Sequence, residues 1–289
     1  MKNNENRSYI YKIKLDSSQV NDARIIASKF ISDGANVLDV GCACGDFGLF
    51  ISEEKKCNIF GMEYDQDSII EAKKTNVFKK IDQVDLNTFQ TSHFPDYYNF
   101  FDYITLLDVL EHTINPKESL LKLKPYLKEN GFFVISIPNI SFGDIKISLL
   151  QDNFTYTDTG ILDITHLRFF TYKTIASLFS EIGFEIDECK AKVSDIENLS
   201  INIPNSVKKY IINNPHSFVY QYVLKVKITS LQKESLEFNN SSKMNLTWAD
   251  INQEMKNIRK TRLINKFLPI GSKQRKILKS FYESLSKRK

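Results

Sequence analysis

The stretch Asn36-Val-Leu-Asp-Val-Gly-Cys-Ala-Cys-Gly-Asp-Phe-Gly48 decides the fold of this chain. Its apolar start, Val37 to Val40, predicts a short buried strand. The glycines that follow predict a tight turn, and a helical period begins between Phe47 and Ile51. A strand, a turn with little side-chain bulk and a helix N-terminus bring backbone N–H groups close to a ligand. The stretch therefore predicts a nucleotide-like ligand that lies against the main chain.

The composition is that of a globular protein with one large core. The chain has 289 residues, of which 42% are hydrophobic, and this is sufficient for such a core. No apolar run reaches the roughly 18 residues of a membrane span, and we expect no secretory signal. The cysteines lack metal-pair or redox-pair spacing: Cys42, Cys44, Cys57 and Cys189. These features predict a location in the reducing cytoplasm.

The net charge of +4 hides a basic C-terminal segment. Between Asp250 and Lys289 there are twelve lysines and arginines against three acidic residues, a segment charge of +9 that leaves −5 for the rest. We expect residues 231–249 to be a linker and 250–289 to be a basic helical tail. Such a tail suits a membrane surface at the inner face or a partner protein. Nucleic-acid phosphates are a less favoured partner, and a merely solvated tail is the simplest alternative.

Strands and helices alternate along the chain, which predicts an α/β fold with a doubly wound, mostly parallel sheet and helices on both faces. Five strands are predicted at Asn36–Val40, Cys57–Glu63, Gln83–Leu86, Phe101–Asp108 and Gly131–Pro138. After Pro138 the alternation breaks, and residues 151–170 are irregular. Two later segments, Phe184–Cys189 and Phe218–Ile228, complete a seven-stranded sheet.

The glycine turn carries a resemblance to a known family. A dinucleotide fingerprint would read G-x-G-x-x-G, and this pattern fails here. The observed pattern is Asp39-x-Gly41-x-Ala43-x-Gly45, which resembles motif I (D-x-G-x-G-x-G) of the class I S-adenosylmethionine-dependent methyltransferases. Ala43 replaces the middle glycine with another small residue. The resemblance implies a Rossmann-like fold, S-adenosylmethionine as cofactor and S-adenosylhomocysteine as product.

The same resemblance assigns roles at the ends of the following strands. It implies that Glu63 binds the ribose hydroxyls, that Asp85 with Leu86 holds the adenine, and that Leu107-Asp108 lies along the methionine part. Ligands of open α/β sheets sit outside the carboxyl ends of the strands, which agrees with these roles. The full set of candidate cofactor-binding residues is Asp39, Gly41, Cys42, Ala43, Gly45, Glu63, Tyr64, Asp85, Leu86, Leu107 and Asp108.

Three further segments are similar to one subgroup, the small-molecule methyltransferases often found with bacterial surface-glycan (polysaccharide) biosynthesis. They are Asp108-Val-Leu-Glu-His112, Ser136-Ile-Pro-Asn139 and Gly160–Thr171. The resemblance covers about residues 30–230. It implies a methyltransferase domain over 1–230, with 141–170 as a cap over the acceptor site, and a hydroxyl of a small, sugar-nucleotide or glycan-linked acceptor. A nucleic-acid methyltransferase and a non-catalytic S-adenosylmethionine-binding subunit are the alternatives.

The candidate catalytic residues follow from the chemistry of methyl transfer. Transfer from a sulfonium depends mainly on alignment, and a hydroxyl acceptor also benefits from a base. His166 in the cap is the favoured base, with Asp163 or Asp108 orienting it, and His112 is a second candidate. Alternatively, His166 makes only a loop-fixing hydrogen bond, and His112 has only a structural role.

Candidate acceptor-binding residues are Asn139, Tyr156 and Arg168. The Arg168 guanidinium suits an anionic acceptor because it forms paired hydrogen bonds, although an ion pair within the cap would explain it as well. Phe154 and Phe169 are expected either at the acceptor or in the core. No His-x-x-x-His or Glu-x-x-His pair occurs, so no metal site is predicted.

Overall fold

The computed structural model describes residues 13–229 and 249–256. Within these residues, seven strands form one sheet in the order β3-β2-β1-β4-β5-β7-β6. β1 to β5 run parallel, and β7 is antiparallel to both β5 and β6. This arrangement confirms the predicted Rossmann-like fold. The strands are β1 Asn36–Val40, β2 Asn58–Glu63, β3 Phe78–Gln83, β4 Phe101–Leu107, β5 Leu127–Pro138, β6 Phe184–Val193 and β7 Val219–Ile228.

Four of the seven α-helices within residues 13–229 begin at a capping side chain. Asn115 caps α4 with Pro116 at its first position, and Thr171 caps α6, as the side-chain chemistry of these residues favours. Asp65 caps α3. The helices are α1 Ala23–Ser28, α2 Asp46–Lys55, α3 Gln66–Lys74, α4 Pro116–Leu123, α5 Gly143–Leu149, α6 Tyr172–Glu181 and α7 Asn205–Ile212.

Both faces of the sheet are covered by helices. Val37 and Leu38, adjacent in β1, are both fully buried, and they belong to two different apolar clusters. The cluster of Val37 contains residues of α1 and α2, whereas the cluster of Leu38 contains residues of α4 and α6. Successive side chains of a strand point to opposite faces, so β1 lies between two helical layers. This burial explains why the parallel strands read as continuous apolar runs.

The prediction for the third strand was wrong. The strand is Phe78–Gln83 rather than Gln83–Leu86, so Asp85 and Leu86 lie in the loop after it. β3 is the edge strand and carries exposed lysines at 79 and 80. Charged side chains are common on edge strands, and here they hide the apolar pattern on which the prediction depended. β5 is also longer than predicted, because it begins at Leu127.

The predicted linker and basic tail lie almost wholly outside the described residues. Only 249–256 of this region is described, and it is helical. Ile251 and Met255 of this helix are buried in the same apolar cluster as α4 and α6, so the helix packs on the sheet's core. In the described part of the chain, no helix has the length and apolarity needed to cross a membrane.

Candidate cofactor and acceptor site

The glycine turn between β1 and α2 has a left-handed backbone. Gly41, Ala43 and Gly45 have φ values of 70°, 44° and 81°. A Cβ on Gly41 would lie 2.6 Å from Cγ2 of Val109, which follows β4. The turn and the end of β4 therefore approach closely, and glycine is needed for the approach as well as for the φ angle. Ala43 adopts its positive φ despite having a Cβ, which is unusual for alanine.

The backbone N–H groups of this turn are bonded within the protein. Gly41 N and Cys42 N both donate to Met62 O, at 2.7 and 3.3 Å, and Ala43 N donates to Glu63 Oε2 at 2.8 Å. These N–H groups are therefore engaged within the protein, whereas within the described residues no side chain caps the first turn of α2 after Gly45. The Cys42 side chain is buried as well. Between Gly41 and Ala43 the turn thus offers close approach of its backbone.

The Glu63 carboxylate is held in place at the end of β2. Its Oε1 accepts hydrogen bonds from Tyr64 N at 2.8 Å and Asp65 N at 2.9 Å, in addition to the bond from Ala43 N. A carboxylate has about four acceptor positions, so these three bonds leave one for a hydroxyl donor. The Tyr64 side chain beside it is exposed. The arrangement orients an acid at the position that the resemblance gives to the ribose.

Asp39 is a buried carboxyl with one unpartnered oxygen. Its side chain is 3% exposed, its Oδ1 accepts a 2.6 Å hydrogen bond from Thr105 Oγ1, and its Oδ2 has no hydrogen-bond partner. Burial raises the pKa of Asp39 to about 7, against the Thr105 hydrogen bond and with the help of the Glu63 charge. An unsatisfied buried carboxyl favours a cationic partner, and an ammonium group is such a partner.

The loop after β3 is tied to the segment after β4. Asp85 Oδ1 accepts hydrogen bonds from the backbone N and the Nδ2 of Asn87, at 2.9 and 3.0 Å. Asn87 Oδ1 in turn accepts from Ile114 N at 2.8 Å. Leu86 packs against the core. Asn87, which the sequence analysis did not single out, therefore fixes the loop that carries Asp85.

Asp108 lies just beyond β4 with φ at 58°. Its Oδ1 accepts hydrogen bonds from Ser136 Oγ at 3.1 Å and from Gln221 Nε2. The surrounding protein raises the pKa of Asp108, and the Ser136 hydrogen bond opposes this effect. Ser136 and Gln221 were not predicted, although each is a polar residue within an apolar run of its strand, which is a detectable signal. Leu107 is half-buried in the cluster that includes α1 and α2.

The cap docks on the segment after β4 through the main chain. Leu167 N and Arg168 N both donate to the Glu111 carbonyl oxygen, at 2.8 and 3.0 Å. These bonds bring His166 of the cap against His112, with ring centroids 4.7 Å apart at an interplanar angle of 75°. Two of the three predicted catalytic residues therefore lie together, next to the end of β4.

Hydrogen bonds to carbonyl groups set the tautomers of both histidines. His166 Nδ1 lies 2.9 Å from Ile161 O, and His112 Nδ1 lies 3.2 Å from Thr165 O. Because a carbonyl only accepts, each Nδ1 carries the proton, and the lone pair of each neutral ring is on Nε2. Burial lowers the pKa of His112, and the charge of His166 acts in the same direction. In the neutral form of each ring, Nε2 is therefore the atom with the lone pair.

The third predicted catalytic residue, Asp163, does not contact the His166 ring. Its Oδ1 accepts from Thr165 N at 2.8 Å and from Thr165 Oγ1 at 2.6 Å. Thr165 Oγ1 lies 3.2 Å from His112 Nδ1. The expected support of His166 by Asp163 is therefore corrected: Asp163 orients Thr165, and Thr165 orients His112.

Glu111 completes this group and was missed in the sequence. Its side chain is 1% exposed, and neither carboxylate oxygen has a hydrogen-bond partner. Burial raises the pKa of Glu111 well above its usual range, and the charges of Asp108 and Asp163 add to the effect. One ligand atom each of Glu111, His112 and His166 lie within 4.8 Å of one another. The expectation of no metal site was based on helical spacing and on acids in separate loops, and it did not consider this group, whose members meet only in the tertiary structure.

The predicted acceptor residues have different environments. Asn139 is fully buried, and its Nδ2 donates to His216 O and Val219 O while its Oδ1 accepts from the backbone N and the hydroxyl of Ser141. The polar atoms of this side chain are therefore engaged within the protein. The Arg168 guanidinium donates to Ile114 O at 2.6 Å and to Leu167 O at 3.0 Å, so it holds the cap.

Aromatic side chains form an exposed cluster on the cap. Tyr156 is 49% exposed, and its ring centroid lies 5.4 Å from that of Phe154. Phe154 in turn packs on Phe169 at 5.6 Å, and Phe169 lies 6.3 Å from His166. The exposure excludes a plain core role for Tyr156. The cluster extends from the histidine pair towards solvent.

The chain is similar to several known proteins. Residues 16–188 match a family described as a methyltransferase domain. The chain is 31% identical over 113 residues to an (S)-coclaurine N-methyltransferase of Papaver somniferum, over 36% of this chain and 30% of that protein. It is 25% identical over 171 residues to a mitochondrial ubiquinone biosynthesis O-methyltransferase of Dictyostelium discoideum, over 56% of this chain and 53% of that protein.

The chain therefore spans about half or less of the length of these two relatives. Its fold is similar to the crystal structure of a methyltransferase from Thermotoga maritima that is described as a possible histamine N-methyltransferase. The TM-score is 0.50 at 15% identity, over 71% of this chain and 87% of that chain. At this identity, the likeness bears on the fold alone.

Proposed function

Because the chain belongs to the methyltransferase-domain family, with S-adenosylmethionine as its cofactor, we propose that it transfers a methyl group to a hydroxyl of a small or glycan-linked acceptor. The observation that carries this proposal is the docking of the cap on Glu111, which brings the rings of His166 and His112 together just after β4, each with Nδ1 bonded to a carbonyl. When bound, S-adenosylmethionine supplies a methyl group on a positively charged sulfur, which is an electrophile with a good leaving group.

The residues at the strand ends fit this cofactor. The unpartnered Oδ2 of Asp39 is suited to the ammonium group, and the remaining acceptor position of Glu63 is suited to the ribose hydroxyls. We assign Asp85 to the adenine amino group, with Leu86 covering the ring and the exposed Tyr64 as a further contact. The ammonium assignment would give a partner to the one oxygen of Asp39 that has none in the described residues.

On the acceptor side, the chain aligns a hydroxyl and removes its proton. The lone pair on His166 Nε2 makes this atom the candidate proton acceptor, and the bond from Nδ1 to Ile161 O keeps the ring in the required tautomer. His112 lies close enough to share this role. Most of the rate enhancement would come from holding the acceptor in line with the methyl group.

The cap suggests the nature of the acceptor. Tyr156 and Phe154 are exposed rings of a cluster that reaches His166 through Phe169, which suits a sugar or an aromatic ring. Two N–H groups of Arg168 are bonded to carbonyls, and the guanidinium has five donors, so an anionic group such as a phosphate can still bind. The glycan link itself is based on the sequence resemblance.

The two alternatives have weaker support. The nucleic-acid proposal depended on the basic tail, which beyond residue 256 lies outside the described part of the chain. The proposal of a non-catalytic subunit depended on Ala43, yet Ala43 adopts the left-handed conformation that a glycine would have there. Its Cβ therefore does not prevent the turn from forming.

The test is incubation of the full chain with methyl-labelled S-adenosylmethionine and panels of sugar nucleotides, phenols and amines. We expect label transfer to a hydroxyl, with formation of S-adenosylhomocysteine. His166→Gln should lower kcat by about 10²–10⁴-fold, whereas His93→Gln, a change at an exposed histidine, should not. Transfer to amines only would contradict the hydroxyl assignment, and cofactor binding without any transfer would favour the non-catalytic alternative.

A further inference from the structure

We propose that Glu111, His112 and His166 together bind one divalent transition-metal ion. Their ligand atoms lie within 4.8 Å of one another, and atoms bound to one such ion at about 2.1 Å are roughly 3–4 Å apart. A contraction of about 1 Å therefore brings all three into a coordination sphere. The ligands come from two segments, the turn after β4 and the cap, which the main-chain bonds to Glu111 O already join.

The unpartnered carboxylate is the strongest argument for a cation. Glu111 is almost completely buried, and both of its oxygens lack any hydrogen bond. No lysine or arginine in the described residues forms an ion pair with it. Two further carboxylates, Asp108 and Asp163, act on Glu111 electrostatically and make the local charge more negative. Buried carboxyl oxygens without a partner are unfavourable, and coordination to a metal ion would satisfy them.

The surroundings of the two histidines are those of metal ligands. A histidine that binds a metal usually donates its second ring N–H to a carbonyl or a carboxylate, which fixes the tautomer and the ring plane. His166 donates Nδ1–H to Ile161 O, and His112 donates to Thr165 O. The hydroxyl of Thr165 donates to Asp163, so towards His112 Nδ1 it can only accept. All of these bonds leave Nε2 as the ligand atom.

The set of ligands indicates the kind of metal. Two imidazoles and one carboxylate suit Zn²⁺, Co²⁺, Fe²⁺ or Mn²⁺ rather than Ca²⁺ or Mg²⁺. Three protein ligands leave coordination positions open, and Phe169 of the cap aromatic cluster lies 6.3 Å from His166. If the proposed function holds, an acceptor with two neighbouring oxygens can take these positions. Bound oxygen becomes more acidic, and the cation would then replace His166 as the means of activating the hydroxyl.

Cobalt binding tests the site directly, without a substrate. The full chain is treated with a chelator, desalted and titrated with Co²⁺, and both visible absorption and calorimetry are recorded. We expect one equivalent of Co²⁺ to bind and to give d–d absorption bands of nitrogen and oxygen ligation. Glu111→Gln and His166→Gln should each weaken binding by at least about 100-fold, since even the loss of an outer partner lowers affinity 10–100-fold.

Matched controls separate this site from adventitious binding. Glu118→Gln and His93→Gln change exposed residues of the same types, and they should bind Co²⁺ as the unaltered chain does. Circular dichroism verifies folding of each variant, and His112→Gln replaces any variant that does not fold. Absence of Co²⁺ binding, or equal binding by the Glu111 and His166 variants, would overturn the proposal. S-adenosylmethionine binding, measured on the same metal-free samples, tests the proposed function separately.

Discussion

The hydroxyl of Thr105 on β4 donates a 2.6 Å hydrogen bond to Oδ1 of Asp39 on β1, whose Oδ2 has no partner. The two strands are parallel neighbours, and their pairing places Asp39 opposite Thr105. The bond is thus a consequence of the sheet register. It orients a buried carboxyl at the carboxyl end of the central strand, with one oxygen left for a cation.

The first prediction concerns the pH dependence of cofactor affinity. The pKa of Asp39 is raised to about 7, so the unliganded carboxyl is mostly neutral at pH 6 and below, whereas an ammonium group prefers the carboxylate. We expect the Kd for S-adenosylmethionine to rise by up to about tenfold when the pH falls from 6.5 to 5.5, because binding then releases one proton. Calorimetry in two buffers of different ionisation enthalpy measures the proton release. A Kd that is independent of pH would contradict this.

The second prediction is that Asp39→Asn increases the stability of the fold and abolishes cofactor binding. A carboxyl whose pKa is raised in the folded state lowers the stability of that state as the pH rises from about 4 to 7. The reason is that the carboxyl loses its proton at a lower pH in the unfolded chain than in the folded one. At pH 8 the raised pKa of Asp39 lowers the stability of the unaltered protein by up to about 4 kcal/mol. Asp39→Asn removes this cost, but the buried amide that it introduces lacks a partner and reduces the gain. We expect Asp39→Asn to increase the free energy of unfolding by about 1–3 kcal/mol at pH 8 and to abolish cofactor binding.

Urea unfolding at pH 8 and pH 5 measures this effect. The gain should be much smaller at pH 5, where Asp39 is already neutral in the folded state. Thr105→Val is the matched change at the other end of the hydrogen bond, and it should lower stability at both pH values. A gain for Asp39→Asn that is the same at both pH values would rule out the charge as its cause.

The third prediction compares two small residues of the turn. Ala43 adopts a positive φ, so Ala43→Gly removes strain and should change the free energy of unfolding by about 0 to +1 kcal/mol, with cofactor affinity kept. Gly45 also has a positive φ, and its Cβ would lie 2.7 Å from Phe78 and 3.2 Å from Ala72. Gly45→Ala should destabilise by about 1–3 kcal/mol and weaken cofactor binding. Thermal unfolding with and without S-adenosylmethionine distinguishes the two variants.

The fourth prediction assigns Arg168 to the cap rather than to the cofactor. Its guanidinium bonds to Ile114 O and Leu167 O connect the cap to the segment after β4. We expect Arg168→Met to raise amide hydrogen exchange in residues 151–169 and to leave the Kd for S-adenosylmethionine within about twofold. Arg24→Met, which breaks an ion pair with Asp22 on α1, is the control and should leave exchange in 151–169 unaltered. Unaltered exchange in the Arg168 variant would indicate that these bonds do not hold the cap.

The fifth prediction is that Asn139 is structural. Asn139→Ala leaves several buried partners without a hydrogen bond, so it should destabilise by about 2–4 kcal/mol. Asn130→Ala, an exposed change in β5, should alter stability by less than about 0.5 kcal/mol. Chemical denaturation measures both. If the Asn139→Ala variant has normal stability and a raised KM for the acceptor, Asn139 binds the acceptor instead.

Much of the fold could be predicted because its signals are local. The apolar runs of β1, β4 and β5 are long enough to be recognised, and Asn115-Pro116 and Thr171 mark helix starts by their side-chain chemistry. β3 was misplaced because an edge strand needs few apolar residues. α7 was not predicted, since its single fully buried residue, Ile211, leaves little periodicity in the sequence.

The sequence by itself determined the cofactor turn, because Asp39, Gly41, Ala43 and Gly45 are neighbours whose conformation follows from local backbone preferences. Only the tertiary structure decided what faces the acceptor. Glu111 and His112 lie more than fifty residues from His166 along the chain, and they meet because two N–H groups of the cap donate to one carbonyl oxygen of Glu111. Spacing along the sequence carries no record of such a contact, since it depends on how the cap folds back over the sheet.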